Sequence, residues 1–231
     1  KHFFCNYATI WQKYVVSLQR KNSKGLKKMK KLLYLHGFAS SSHSGTVQLL
    51  RTKLYPLGIQ VVAKDIPLNP LEGMESVKVF VEQEQPDLIL GTSMGALFAE
   101  RMHGYKRILV NPAFIMSEAC KGMGFGKHEW LSARDNGEKT LQITKALIDQ
   151  FKALEKDNFV GEMDPENVWA FFGTRDTLVN FQDEFKAHYG EAQFYLFDGE
   201  HRLNDNVLTK VILPKIKEIM SADDANGYYN Y

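Results

Sequence analysis

A serine, an acid and a histidine, in that order along the chain, are the residues with chemistry to do. Ser93 stands in Gly91-Thr92-Ser93-Met94-Gly95, a G-x-S-x-G pattern. A strand that enters a helix through this pattern turns so tightly that the serine hydroxyl is lifted clear of the sheet as an exposed nucleophile. Side chains at 91 and 95 would collide with neighbouring backbone, hence glycine at both. Chance alone produces the bare pattern in roughly one chain in ten of this length, so it carries weight only with partners. Serine is a poor nucleophile until a base takes its proton, and a third group must orient that base. Asp176 lies 83 residues downstream in Gly173-Thr174-Arg175-Asp176, and His201 lies 25 further on in Asp198-Gly199-Glu200-His201. The expected catalytic set is therefore Ser93, Asp176 and His201.

Rivals exist for two of these positions. Asp198 and Glu200 precede His201 so closely that either would have to fold back onto it. Asp176 has a competing use, as the start of a turn or a cap for a helix near 180. His2, His36, His43, His103, His128 and His188 compete with His201. His103 and His188 sit in helical patterns and read as structural. His36, just before Gly37 at the end of the first strand pattern, reads as a loop-shaping residue, and His43 belongs to a polar serine-rich loop. An acyl-transfer site also needs donors for the developing oxyanion. The N–H of Met94, next after the nucleophile, is one; the second is expected from the loop His36-Gly37-Phe38-Ala39, with Phe38 N–H as the choice.

These groups need a frame that brings distant segments to one edge. Strand patterns fall at 32–36, 59–63, 87–90, 107–111, 168–172 and 193–198, short apolar runs rich in branched and aromatic residues. Helical patterns lie between them, at about 44–56, 72–85, 94–104, 139–156, 180–189 and 203–220. Such alternation makes an α/β fold, a mostly parallel sheet of about six strands covered by helices on both faces. Ser93, Asp176 and His201 each follow a strand pattern, at the strand ends where open parallel sheets gather their sites. More than fifty residues separate the strand patterns ending at 111 and starting at 168. An insertion of that length, about 113–166, is expected to form a small helical lid. Gly122, Gly124 and Gly126 in it read as a turn, since no strand precedes them and no Gly-Lys-Ser/Thr follows as in a phosphate loop. Phe38, Phe114, Met116 and Met123 are candidates to line an apolar pocket.

Composition narrows the function. The chain has 231 residues and a net charge of +2, but residues 1–31 carry nine Lys or Arg and no acid. The remaining 200 residues hold 20 bases and 27 acids, an acidic body that argues against nucleic acid as a partner. Cys5 and Cys120 make no C-x-x-C pair, which argues against a disulfide scaffold or a zinc site and fits a reducing, cytoplasmic compartment. No metal or cofactor is expected. Phe4, Tyr7, Trp11, Tyr14, Val15 and Leu18 have helical spacing and precede a basic run. Residues 1–28 thus read either as a basic amphipathic extension able to meet an anionic membrane or as a leader that is not native, with translation starting at Met29. Membrane contact is expected only under the first reading. The body then spans 29–220, and 221–231 reads as a loose tail.

With these residues in hand, the chain resembles the α/β-hydrolases, and among them the small bacterial YqiA-type esterases. The resemblance rests on LLYLHGFASSSHSGTV at the first strand, GTSMGAL at the elbow and Val110-Asn-Pro-Ala113 after the next strand. GTRDTLV and FDGEHRL resemble the acid and histidine segments of α/β-hydrolases generally. It covers 29 to about 220 and implies the α/β-hydrolase fold, the triad Ser93–Asp176–His201 and activity on short acyl esters. The expectation is a serine hydrolase acting on a small-molecule acyl substrate through an acyl-enzyme. A thioesterase or peptidase on the same triad, and a binding module that catalyses nothing, stand as alternatives. Dehalogenation is disfavoured, because its nucleophile would be a carboxylate where this chain has Ser93.

Overall fold

The computed structural model describes residues 29–160 and 164–226, so the expectations for 1–28 and for the final five residues fall outside it. Six parallel strands form the central sheet: β1 (Lys30–Leu35), β2 (Ile59–Ala63), β3 (Leu88–Thr92), β4 (Arg107–Val110), β7 (Val168–Gly173) and β8 (Phe194–Phe197). Their order across the sheet is β2-β1-β3-β4-β7-β8, and every neighbouring pair is parallel. Each lies within two residues of its expected bounds.

The strands read as unbroken apolar runs because alternate side chains enter two different cores. On one face Leu33, Leu35, Ile89 and Leu109 pack with Met74, Val77, Leu97, Phe98, Phe151 and Phe185. On the other, Leu32, Tyr34, Leu88, Leu90, Ile108 and Val110 pack with Val47, Leu50, Leu54, Ile216 and Ile219. The first face is covered by α2 (Pro70–Glu84), α3 (Met94–Glu100) and α6 (Gln182–Tyr189), the second by α1 (Gly45–Leu54) and α7 (Leu213–Asn226). Asn69 caps α2 with its side-chain oxygen, and Pro70 occupies the first helical position, where no N–H is missed.

Three expectations need correction. The insertion is not simply helical: α4 (Met116–Met123) leads into an antiparallel pair, β5 (Gly126–Glu129) and β6 (Thr140–Ile143), and only then comes α5 (Lys145–Glu155). The helix expected over 139–156 therefore loses its first turn to β6, where Leu141 and Ile143 are buried and Gln142 between them is exposed. The helix expected to reach 104 stops at Glu100, and a turn through Gly104 at φ 82° carries the chain to β4. That puts His103 in the turn, its Nδ1 3.4 Å from Asp164 Oδ1. At the other end α7 runs on to Asn226, past the expected limit of 220. Met220, inside that limit, is buried.

Candidate active site

Each of the expected site residues lies just past the carboxyl end of a sheet strand. Ser93 follows β3 at φ 54° and ψ −119°, a conformation that costs an L-residue of the order of 1–3 kcal/mol and persists only where the surroundings impose it. Here they do. Val110 O accepts the Ser93 N–H at 3.0 Å, and Ser93 O accepts from Ala96 and Ala113 at 3.0 and 3.2 Å. The two flanking glycines have no room for a side chain. A Cβ on Gly91 would come within 2.6 Å of the Gly95 carbonyl carbon, and one on Gly95 would overlap the Leu35 carbonyl and lie 2.8 Å from His36 O.

His201 joins the serine to the acid. Its Nε2 is 3.0 Å from Ser93 Oγ, and its Nδ1 is 2.8 Å from Asp176 Oδ2. The Asp176 side chain is 3% exposed and that of His201 17%, so the acid is shielded while the imidazole still meets the mouth of the site. Burial pushes the Asp176 carboxyl up, but the hydrogen bond from His201 and those from the Val179 and Leu178 amides outweigh it and hold it below its ordinary value. An ionised acceptor at Oδ2 puts the imidazole proton on Nδ1 and leaves Nε2 to accept from the Ser93 hydroxyl. The competing use of Asp176 is also present. Its Oδ1 takes the Leu178 and Val179 amides at 2.8 and 3.1 Å, so one oxygen shapes the loop while the other faces His201. Asp198 instead pairs with Arg175 at 2.5 Å on the surface, and Glu200 is exposed.

The loop after β1 runs alongside Ser93. A Cβ on Gly37 would sit 3.3 Å from Ser93 Cβ and 3.8 Å from Ser93 Oγ. Phe38 follows, half-buried, its ring 6.2 Å from that of Phe151, and Ala39 then takes φ 58°. Met94 is the first residue of α3, so its N–H has no acceptor within the helix. Ala39, Ser93 and Asn111 are three of the five non-glycine residues with positive φ among the described residues, and all three lie around Ser93.

His36 anchors the same loop from below. It is 1% exposed; its Nε2 accepts the Ile66 N–H at 3.0 Å, and its Nδ1 donates to Gly37 O at 2.9 Å. Burial drives its pKa down to about 4. A neutral ring bridging two backbone groups acts as a scaffold for the loop. Of the apolar candidates, Phe114 and Met116 are core residues at 1% and 2% exposure, whereas Met123 is 44% exposed.

Two features have roles that the sequence analysis did not assign. The β5–β6 hairpin is tied to the β1 and β2 loops by polar bonds: Leu131 N–H to Ala39 O at 2.7 Å, Ser132 to Ser41 at 2.8 Å, and Arg134 to Ile66 O at 3.0 Å. Asp65 takes the Ser42 and Asp135 amides, each at 2.8 Å. A cavity of about 640 Å³ opens beside this tie, between Asp65, Trp130, Arg134 and Leu141. Ser93, Asp176 and His201 do not line it. The second feature is Asn111, buried at the end of β4 and bonded to both the acid and the histidine loops. Among the described residues no group of three or more His, Cys, Asp or Glu side chains is arranged to hold a metal ion, and no helix is long and apolar enough to cross a membrane.

Solved structures share this architecture at low sequence identity. Est1E from Butyrivibrio proteoclasticus is 16% identical over 88% of this chain and 91% of its own, with a TM-score of 0.61. The mouse alpha/beta hydrolase domain-containing protein 10 is 12% identical over 85% and 92% of the two chains, with a TM-score of 0.57. The thioesterase domain from the curacin biosynthetic pathway is 16% identical over 85% of this chain and 93% of its own, with a TM-score of 0.50. At these identities the likeness establishes the α/β-hydrolase fold. Residues 31–218, which include all the site residues above, match the uncharacterised protein family UPF0227, and the chain belongs to that family.

Proposed function

We propose that this protein is a serine hydrolase that cleaves the carboxylic ester bonds of small acyl esters through an acyl-enzyme. The observation that carries the reading is the unbroken relay from Ser93 Oγ through His201 to Asp176, at 3.0 and 2.8 Å. In this reaction His201 Nε2 removes the Ser93 proton as Oγ attacks the ester carbonyl, then returns that proton to the departing alcohol. Asp176, ionised, keeps Nδ1 protonated and stabilises the imidazolium. The N–H groups of Met94 and Phe38 receive the oxyanion, each such donor contributing about 3 kcal/mol to lowering the barrier. Water then enters in place of the alcohol, and the same histidine activates it. The strained elbow supports the assignment, since strain of this kind is retained where geometry has a use.

The test is hydrolysis of p-nitrophenyl esters, from acetate to dodecanoate, by the wild type and by Ser93→Ala, alongside labelling with a fluorophosphonate probe. Turnover and labelling that both vanish in Ser93→Ala are expected, with the chain-length optimum reporting the pocket. A wild type no faster than the variant on every ester, and unlabelled, would sink the reading in favour of a binding module. Labelling at Ser93 without ester turnover would redirect it to a thioester or amide substrate.

A further inference from the structure

The triad is assembled from three loops, and one buried side chain ties two of them to the end of β4. Asn111 directly follows β4, is 1% exposed and adopts φ 44°, a left-handed conformation that asparagine tolerates better than most residues. Its Oδ1 accepts the Gly173 N–H at 2.7 Å, at the start of the segment that ends in Asp176. Its Nδ2 donates to the carbonyls of Glu200 and His201, both at 3.0 Å. Its own backbone N–H bonds Phe171 O at 2.8 Å, while the preceding carbonyl, Val110 O, accepts the Ser93 N–H. Two consecutive residues of one strand end thus hold the nucleophile, the approach to the acid and the backbone of the base.

The amide chemistry suits the task. Two carbonyls need two donors and one amide N–H needs an acceptor, and a carboxamide supplies both in one plane. The histidine and acid loops are also joined directly, Thr174 N–H to Phe197 O and Arg175 N–H to Gly199 O at 2.9 Å each. Those bonds fix the two loops to each other, but neither reaches β3 or the serine. The link from the joined loops back to the elbow runs through Asn111.

We infer that Asn111 is a positioning residue, whose carboxamide sets the reach of His201 to Ser93 by donating to the Glu200 and His201 carbonyls. The inference rests on the triad proposed above. Its test is Asn111→Asp, which keeps shape, backbone tolerance and the acceptor for Gly173 but loses both donors, with Asn111→Gly as the second variant. Glycine adopts φ 44° freely, so it keeps the experiment decisive if a buried carboxylate unfolds the first. Two readouts are needed: kcat and KM on the best p-nitrophenyl ester, and the far-downfield proton resonance of His201 Nδ1–H, assigned by its loss in His201→Ala.

Folded variants are expected to lose roughly 100-fold in kcat with KM changed by about twofold or less, as displacement of a reacting group by about 1 Å does. The Nδ1–H resonance should broaden or disappear in both. If Asn111 only fills space, the isosteric Asp variant would keep the wild-type kcat and resonance, and the inference would be overturned. The two proposals fail separately. Lost resonance in the variants of a wild type that hydrolyses no ester would uphold the positioning role and reject the esterase. Full Ser93-dependent turnover and an intact resonance in Asn111→Gly would do the reverse.

Discussion

Acid should weaken this fold through His36 well before it protonates the carboxylates. The folded-state pKa of His36 is lowered to about 4 from an ordinary 6.5, with burial as the main cause. The unfolded chain therefore binds a proton at His36 near pH 6.5, whereas the folded chain resists it until about 4. Where the unfolded state binds more protons, stability falls as pH falls. The His36 contribution is complete above pH 6.5 and is lost progressively as pH falls towards 4. At about 1.4 kcal/mol per pH unit the gap amounts to about 3 kcal/mol, with no discount for solvent because the ring is 1% exposed. For a domain of this size that corresponds to a fall of roughly 10 °C in Tm. Asp65, Asp164 and Asp176 have pKa values below their ordinary 3.8, so the stability they contribute is present throughout this window and is lost only below it. The assay is urea unfolding at steps from pH 7.5 to 4, on the wild type and on His36→Gln, whose side-chain oxygen can still accept the Ile66 N–H but cannot titrate. The variant should start about 1 kcal/mol weaker for its lost bond to Gly37 O and show a shallower decline, so that the curves converge or cross by pH 4. Parallel curves would refute the reasoning, because the other titrating groups are common to both proteins.

The elbow makes two further predictions. Ser93→Gly should be more stable than Ser93→Ala by about 1 kcal/mol, since glycine alone is at ease at φ 54° and ψ −119°; equal urea midpoints would mean that the serine is unstrained. Gly95→Ala should cost at least about 3 kcal/mol, because the added methyl would overlap the Leu35 carbonyl, and the backbone there cannot step aside as a side chain could. Gly122→Ala, whose Cβ would meet nothing within 4 Å, is the control and should match or slightly exceed the wild type in Tm. Comparable losses in the two alanine variants would remove the close-packing argument.

What could be read from the sequence was whatever leaves a local signature. The six sheet strands were legible because burial on both faces turns each into a short apolar run, as in Leu32–Leu35 and Leu88–Leu90. The elbow was legible because close backbone approach admits only glycine at 91 and 95. Asp176 and His201 were legible as a pair in order, each a few residues past a strand. The hairpin was not. In Gly126–Glu129 no residue is fully buried, and β6 sends only Leu141 and Ile143 into the core, an alternation over four residues that a helical pattern running on from 145 absorbs. Asn111 stands out in the sequence only within Val110-Asn-Pro-Ala113, since an asparagine after a strand carries the same spacing whether it caps a turn or joins loops from 62 to 90 residues away. His36 lies between these cases: its place beside Gly37 suggested a loop role, but its second partner, the Ile66 amide, comes from beyond the next strand. The difference is one of range. Residues that work through their neighbours in sequence declare their use by pattern, and residues that work by joining distant backbone groups declare it only in three dimensions. That is why the proposed reaction rests on side chains the sequence could nominate, while the tie between their loops rests on Asn111, which it could not.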